Sequence, residues 1–131
     1  MSIDPSQFEV HPSSGVPIYR QIIDQVGAMV VGGRLQGGQM LPSVRAMATV
    51  LGVNPMTISK AYARLEADHV VERVRGKGMM ILEPSIDGSV SQRREELHPS
   101  VLSAVIRGRQ LGLSDKQIID LVRQILRENP Q

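Results

Sequence analysis

Leu41-Pro42-Ser43-Val44-Arg45-Ala46-Met47-Ala48-Thr49-Val50-Leu51-Gly52-Val53-Asn54-Pro55-Met56-Thr57-Ile58-Ser59-Lys60-Ala61-Tyr62-Ala63-Arg64-Leu65 is the stretch that decides the fold. Ser43 suits an N-cap, and Val44, Met47, Ala48 and Leu51 share one face of a short helix behind it. Gly52-Val53 reads as a turn. Asn54 suits the next cap and Pro55 a first helical position. That second helix is expected to reach about Asp68. It buries Ile58, Ala61, Tyr62 and Leu65, which recur at i, i+3, i+4 and i+7. Two short helices joined by a tight turn are a helix-turn-helix arrangement.

Working outward toward the N-terminus, Arg34 to Pro42 reads as a Gly-rich connection. Residues 17–33 read as a helix opened by Pro17, with Ile18, Ile22, Val26, Met29 and Val30 at helical spacing and Gly32-Gly33 as its end. Residues 1–16 read as a polar arm, broken by Pro5, Pro12, Ser13, Ser14 and Gly15. Toward the C-terminus, Val70-Val71-Glu72-Arg73-Val74 and Met79-Met80-Ile81-Leu82 flank Arg75-Gly76-Lys77-Gly78, the pattern of a β-hairpin with two cations at its tip. Helix, short helix, turn, helix and hairpin follow in the order of a winged helix-turn-helix spanning residues 17–82. In that fold the helix after the turn enters the DNA major groove.

Residues 83–131 begin with a linker containing Pro84, Ser85, Asp87, Gly88 and Ser89. Two helices are expected after it. The first covers about 90–111, and Pro99 either kinks it or marks its start. The second starts at Ser114, where Ser114 and Gln117 form a capping box and Leu113 and Ile118 a hydrophobic staple. A segment this short rarely builds its own core. Val101, Leu102, Val105 and Ile106 on one helix and Ile118, Leu121, Val122, Ile125 and Leu126 on the other are therefore expected to pack against a second copy, giving a homodimer. The expected fold class is mainly α with a small β-hairpin: an N-terminal winged helix-turn-helix, then a short two-helix C-terminal dimerisation segment.

Composition narrows the chemistry. Among 131 residues there is no Cys and no Trp, which excludes disulfides, thiolate metal sites and a Cys nucleophile. Phe8, Tyr19 and Tyr62 are the only aromatics, too few for a base-stacking platform. His11, His69 and His98 are scattered and suggest no metal site. Gly76-x-Gly78 is a fragment of a nucleotide fingerprint with Ile81 where the last Gly belongs. Glu95 and Glu96 are adjacent on a helix and point to different sides, so they make no acid–base pair. No catalytic residues, cofactor or metal are expected. No apolar run spans a membrane, and the acidic start lacks the pattern of a signal peptide, so the expected location is the cytoplasm.

Charge is distributed unevenly. Residues 1–16 hold two acids and no Lys or Arg. Residues 17–82 hold eight basic and four acidic residues, and residues 83–131 hold seven of each. The positive excess lies in the middle segment, where an anionic partner fits. No acid falls between Asn54 and Leu65. The candidate contacts with double-stranded DNA are Ser43, Arg45, Asn54, Pro55, Met56, Thr57, Ser59, Lys60, Arg64, Arg75, Gly76 and Lys77. The amides at the helix N-terminus favour a phosphate, Met56 suits a thymine methyl, and Arg75 beside Gly76 suits a narrow minor groove. A winged helix that binds protein instead of DNA is the alternative, and it has no need of these cations.

The order Leu41-Pro42-Ser43-Val44-Arg45, Met47-Ala48, Leu51-Gly52-Val53, Thr57-Ile58, Ala61-Tyr62, Leu65-Glu66 and Arg75-Gly76-Lys77-Gly78 closely resembles the DNA-binding domain of GntR-family bacterial transcription regulators. The short C-terminal segment with Leu111-Gly112-Leu113-Ser114 resembles the YtrA subfamily. The resemblance implies DNA contacts from Arg45, from Asn54 to Thr57, and from Arg75-Gly76. It implies a transcriptional regulator, a repressor or a dual regulator, that controls its own operon, often alongside transporter genes. The homodimer expected from the apolar C-terminal faces fits a pseudo-palindromic operator. Any small-molecule effector has little room in so short a segment and is expected at the dimer interface or between the segment and the winged helix. Two positions depart from the family pattern. Gly37 stands where a Pro usually precedes Gly38. His69 stands where Gly usually ends the recognition helix, at the cost of modest strain.

Overall fold

The computed structural model describes residues 3–84 and 86–129. Met1, Ser2, Ser85, Pro130 and Gln131, which fall in the expected arm, linker and C-terminal segment, lie outside the described residues. The chain forms two compact units, Met1–Pro84 and Ser85–Gln131.

In the first unit, helix α1 (Ile18–Val31) buries Ile22, Ile23, Val26 and Met29. Pro17 is its N-cap rather than its first residue. Helix α2 (Val44–Leu51) is capped by the Ser43 hydroxyl, which accepts from the Ala46 N–H at 3.0 Å. Its end is the left-handed Gly52, φ +68°, and helix α3 (Pro55–Ala67) begins soon after it. The expected face of α3 is the one buried: Ile58, Ala61, Tyr62 and Leu65. A large aliphatic side chain such as Ile58 or Leu65 contributes about 1.5–3 kcal/mol when removed from water. Helices α1 and α2 both pack on α3, so α3 is held from behind by two elements while its opposite face stays exposed.

Strands β1 (Val71–Val74) and β2 (Gly78–Ile81) pair antiparallel, Val71 with Ile81 and Val74 with Gly78. The wing tip is thus Arg75, Gly76 and Lys77, and Gly78 belongs to the strand. Gly76 adopts φ +76°, a conformation that favours glycine.

Two regions differ from the sequence reading. Residues 39–41, within the expected Gly-rich connection, pair with β2. The Leu41 N–H donates to the Met79 carbonyl at 2.8 Å, the Ile81 N–H donates to the Gln39 carbonyl at 2.8 Å, and Met40 bridges Met80. The stretch 3–16 is not a free polar arm. Ile3 and Phe8 are buried in the core, and the Ile3 N–H donates to the Met40 carbonyl at 3.0 Å. Gln21 and Gln25 hold the rest of this strap. Each amide pairs with both backbone groups of one residue, Gln25 with Glu9 and Gln21 with His11. The spacing explains the fit: four residues along a helix rise about 6 Å, nearly the advance of two residues along an extended chain.

The second unit contains α4 (Val90–Gln110) and α5 (Asp115–Glu128). Both start with a capping box in which both hydrogen bonds are made, Ser89 with Gln92 and Ser114 with Gln117. Pro99 lies inside α4 and does not start it. The two helices approach beside their turn. There an added Cβ on Gly108 would lie 2.9 Å from the Ile118 side chain, so the absent side chain makes the packing. Gly108 is the only buried residue of either helix among the described residues.

Candidate nucleic-acid interface

The outward face of α3 follows from its inward one. With Ile58, Ala61, Tyr62 and Leu65 turned to the core, Met56, Ser59, Lys60, Ala63 and Arg64 are exposed, and Thr57 is half-buried. Met56 is 78% exposed, the largest value among the large exposed hydrophobic side chains described. Tyr62 lies in the core. Its hydroxyl donates to the Pro42 carbonyl at 2.7 Å and ties the start of α2 to the middle of α3. Burial pushes the phenol above its ordinary value, so it remains a donor at any physiological pH.

The amides at the start of α3 are already satisfied, which corrects the expectation that they hold a phosphate. Pro55 has no N–H. The Met56 N–H donates to Asn54 Oδ1 at 2.8 Å, and the Thr57 N–H donates to the Asn54 carbonyl at 2.9 Å. What remains for an anion is the dipole at this end of the helix and the hydroxyls of Thr57 and Ser59.

The cations fall into two groups. Arg64 is paired within its own helix, its Nε donating to Asp68 at 3.1 Å, and Arg73 lies 3.7 Å from Glu66. Arg45 on α2 and Arg75 and Lys77 on the wing are exposed and make no ion pair among the described residues. Lys60 belongs to neither group. Its ammonium sits over the ring of Tyr19, 4.0 Å from the centroid. Tyr19 is a residue that sequence reasoning missed; the available signal was an aromatic in the first turn of the helix that packs on α3. Ser43 and Asn54 both serve as caps, with their remaining surface exposed.

Of the residues assigned to dimerisation, Val101, Leu102, Ile106, Leu121, Val122 and Ile125 are about half exposed, Val105 is half-buried, and Ile118 is turned partly into the α4–α5 turn. No helix among the described residues is long and apolar enough to cross a membrane.

Residues 18–81 match the family described as bacterial regulatory proteins, gntR family. The HTH-type transcriptional repressor YtrA of Bacillus subtilis is 36% identical over 107 residues, covering 79% of this chain and 82% of its own. The chain belongs to the GntR family. Among solved structures, a transcriptional antiterminator from Listeria monocytogenes EGD-e superposes with a TM-score of 0.72 at 33% identity, covering 90% of this chain and 88% of its own. YtrA from Sulfolobus acidocaldarius, a GntR-family transcription factor, superposes with a TM-score of 0.55 at 25% identity, covering 92% and 97%. The matches extend past the winged helix into the two C-terminal helices, which places the chain with the YtrA-type members of the GntR family. As a GntR member it is a transcriptional regulator with a DNA-binding domain and not an enzyme.

Within this family frame the two departures noted in the sequence acquire a geometry. His69 does adopt the left-handed conformation, φ +59°. At Gly37 an added Cβ would meet the Glu83 side chain at 2.5 Å, so a proline here would require that exposed side chain to move.

Proposed function

We propose that the chain is a sequence-specific transcriptional repressor that acts in the cytoplasm. It binds a pseudo-palindromic operator as a homodimer, with α3 in the major groove and the wing against the minor groove. The observation that carries this reading is the acid-free outward face of α3 from Asn54 to Leu65, backed by three cations on α2 and the wing that no acid neutralises among the described residues. Arg45 and Arg75 serve as the principal contacts, with Lys60, Lys77 and the Thr57 and Ser59 hydroxyls toward the backbone. Ser43, Asn54, Pro55 and Gly76 shape the approach, Met56 meets a base methyl, and Arg64 joins once it leaves Asp68. The half-exposed apolar faces of α4 and α5 support the second copy, which sets two half-sites about one helical turn apart.

Selection of bound duplexes from a random pool tests the reading directly; the expected product is a two-fold repeat. A salt titration on the selected duplex accompanies it. With about six to ten phosphates neutralised, affinity should fall roughly 10³–10⁵-fold between about 50 and 200 mM salt. A flat response overturns the DNA assignment. Arg45→Ala and Arg75→Ala should each weaken binding by about 1–3 kcal/mol per half-site with helical content unchanged.

A further inference from the structure

Tyr19 lies in the first turn of α1, half-buried against the core. Helix α1 packs on α3, so the ring is anchored to the body of the winged helix. Over that ring stands the Lys60 ammonium, 4.0 Å from the centroid. A lysine on an exposed helix face ordinarily samples many rotamers and loses that freedom when it grips a ligand. Here the ring has already restricted it. The contrast with Arg64 shows why the partner's chemistry matters. A carboxylate 3.1 Å from Arg64 offsets part of its attraction for an approaching phosphate. An aromatic ring attracts the cation through its quadrupole and carries no net charge. The ammonium keeps its full charge, and the N–H donors turned away from the ring are left for another acceptor.

We propose that Tyr19 is a positioning residue for phosphate binding: its ring holds the Lys60 ammonium at the outward face of α3, charged and oriented toward the DNA backbone. The inference rests on the reading of α3 as the DNA-facing helix. Tyr19 acts through Lys60, so its contribution exists only while Lys60 is present. It affects all sequences alike, because a phosphate carries no base information.

The test is a double-mutant cycle on the full chain, with a fluorescein-labelled duplex of mixed sequence as the probe. Tyr19→Leu keeps apolar volume against the core and removes the ring; Tyr19→Phe keeps the ring. Expected results are a loss of about two- to fivefold in affinity per site for Tyr19→Leu and wild-type affinity for Tyr19→Phe. Lys60→Ala should also lower the slope of log affinity against log salt by about 0.9 for each phosphate it no longer neutralises, whereas Tyr19→Leu should leave that slope nearly unchanged. In the Lys60→Ala background, Tyr19→Leu should cost nothing further. A general structural role predicts the opposite, an equal loss with or without Lys60, and that result overturns the proposal. So does unchanged affinity for Tyr19→Leu beside Lys60. If Tyr19→Leu fails to fold, fluorinated phenylalanines at position 19 replace it. Affinity should then fall stepwise as fluorine weakens the quadrupole, and a flat series overturns the proposal. If Lys60→Ala changes nothing while Arg75→Ala weakens binding, DNA binding by the winged helix stands and the Tyr19–Lys60 assignment falls. If neither variant weakens it, the DNA-binding reading of the winged helix falls as well.

Discussion

Every buried apolar side chain among the described residues belongs to the winged-helix unit, while the helical pair that follows hides only Gly108. Local signals do not account for the difference. Helices α4 and α5 carry complete capping boxes and run 21 and 14 residues; α2 has 8 residues and a single side-chain cap. The better-capped helices are the ones without a core. Caps and propensity decide where a helix starts and stops, each for about 1 kcal/mol, but a folded unit requires apolar faces that meet. In the first unit α1, α2, α3, the wing and the N-terminal strap close on one another. In the second, Leu121 and Ile125 remain 46% and 49% exposed. These faces are what the proposed second copy would cover.

The sharpest way to break this comparison is to place charge on the exposed faces. Leu121→Asp and Ile125→Asp should each convert the proposed dimer into monomers. Binding to the selected operator should then fall by about 10²–10⁴, since the second half-site no longer benefits from being tethered to the first. Sedimentation velocity beside a DNA titration reads both effects. A wild-type chain that sediments as a monomer at micromolar concentration and still grips a single half-site tightly would remove the distinction between the units.

The converse change belongs in the first unit. Ile58 is fully buried at the centre of α3. Ile58→Ala should cost about 2–5 kcal/mol of stability, the transfer loss plus the cavity left behind. Urea unfolding should show that loss, while the sedimentation of the remaining folded protein stays that of the wild type.

What the sequence made legible follows the same division between local and long-range effects. Helix α3 and the hairpin were readable because their signals are periodic and contiguous: four buried residues at helical spacing, then a Gly-containing turn between two apolar runs. Both capping boxes were readable for the same reason. The strap was not. Ile3 and Phe8 are two isolated apolar residues among Pro, Ser and Gly, and the partners that fix this stretch, Met40, Gln21 and Gln25, lie far along the chain. Residues 39–41 were hidden likewise, since their strand character exists only through pairing with β2. In the candidate site the residue types were legible, and so were the partners set by helical spacing: Arg64 with Asp68 at i, i+4, and the Asn54 cap on the α3 amides. Nothing in the order of residues shows that Tyr19 lies under Lys60.

A smaller change probes how the two halves of the helix-turn-helix are joined. The Tyr62 hydroxyl and the Pro42 carbonyl form a buried hydrogen bond at 2.7 Å. Tyr62→Phe keeps the ring in the core and leaves that carbonyl without its donor, a loss of about 1–3 kcal/mol. The thermal midpoint of the first unit should drop accordingly. The oligomeric state should not change, because nothing in the second unit depends on the bond.

The smallest expected effect compares the two units at one shared motif. Helices α3 and α4 end alike. In α3 the His69 N–H donates to the Glu66 carbonyl and the Val70 N–H to the Leu65 carbonyl; in α4 the Gly112 N–H donates to the Arg109 carbonyl and the Leu113 N–H to the Gly108 carbonyl. Each arrangement needs a left-handed residue at its corner, and the two have different ones: Gly112 at φ +78°, His69 at φ +59°. His69 is the only non-glycine residue with positive φ among those described. A side chain in that conformation costs about 1–2 kcal/mol, and glycine returns about 0.4–1 kcal/mol of that as extra freedom in the unfolded chain. His69→Gly should therefore raise the stability of the winged-helix unit by about 0.5–1 kcal/mol. Gly112→Ala should lower that of the helical pair by about 1 kcal/mol. Chemical denaturation of the two variants reads both signs. Equal and opposite behaviour would show that the corner obeys local sterics in both units alike. No gain from His69→Gly would mean that the imidazole makes a compensating contact in the first unit that the second unit does not reproduce.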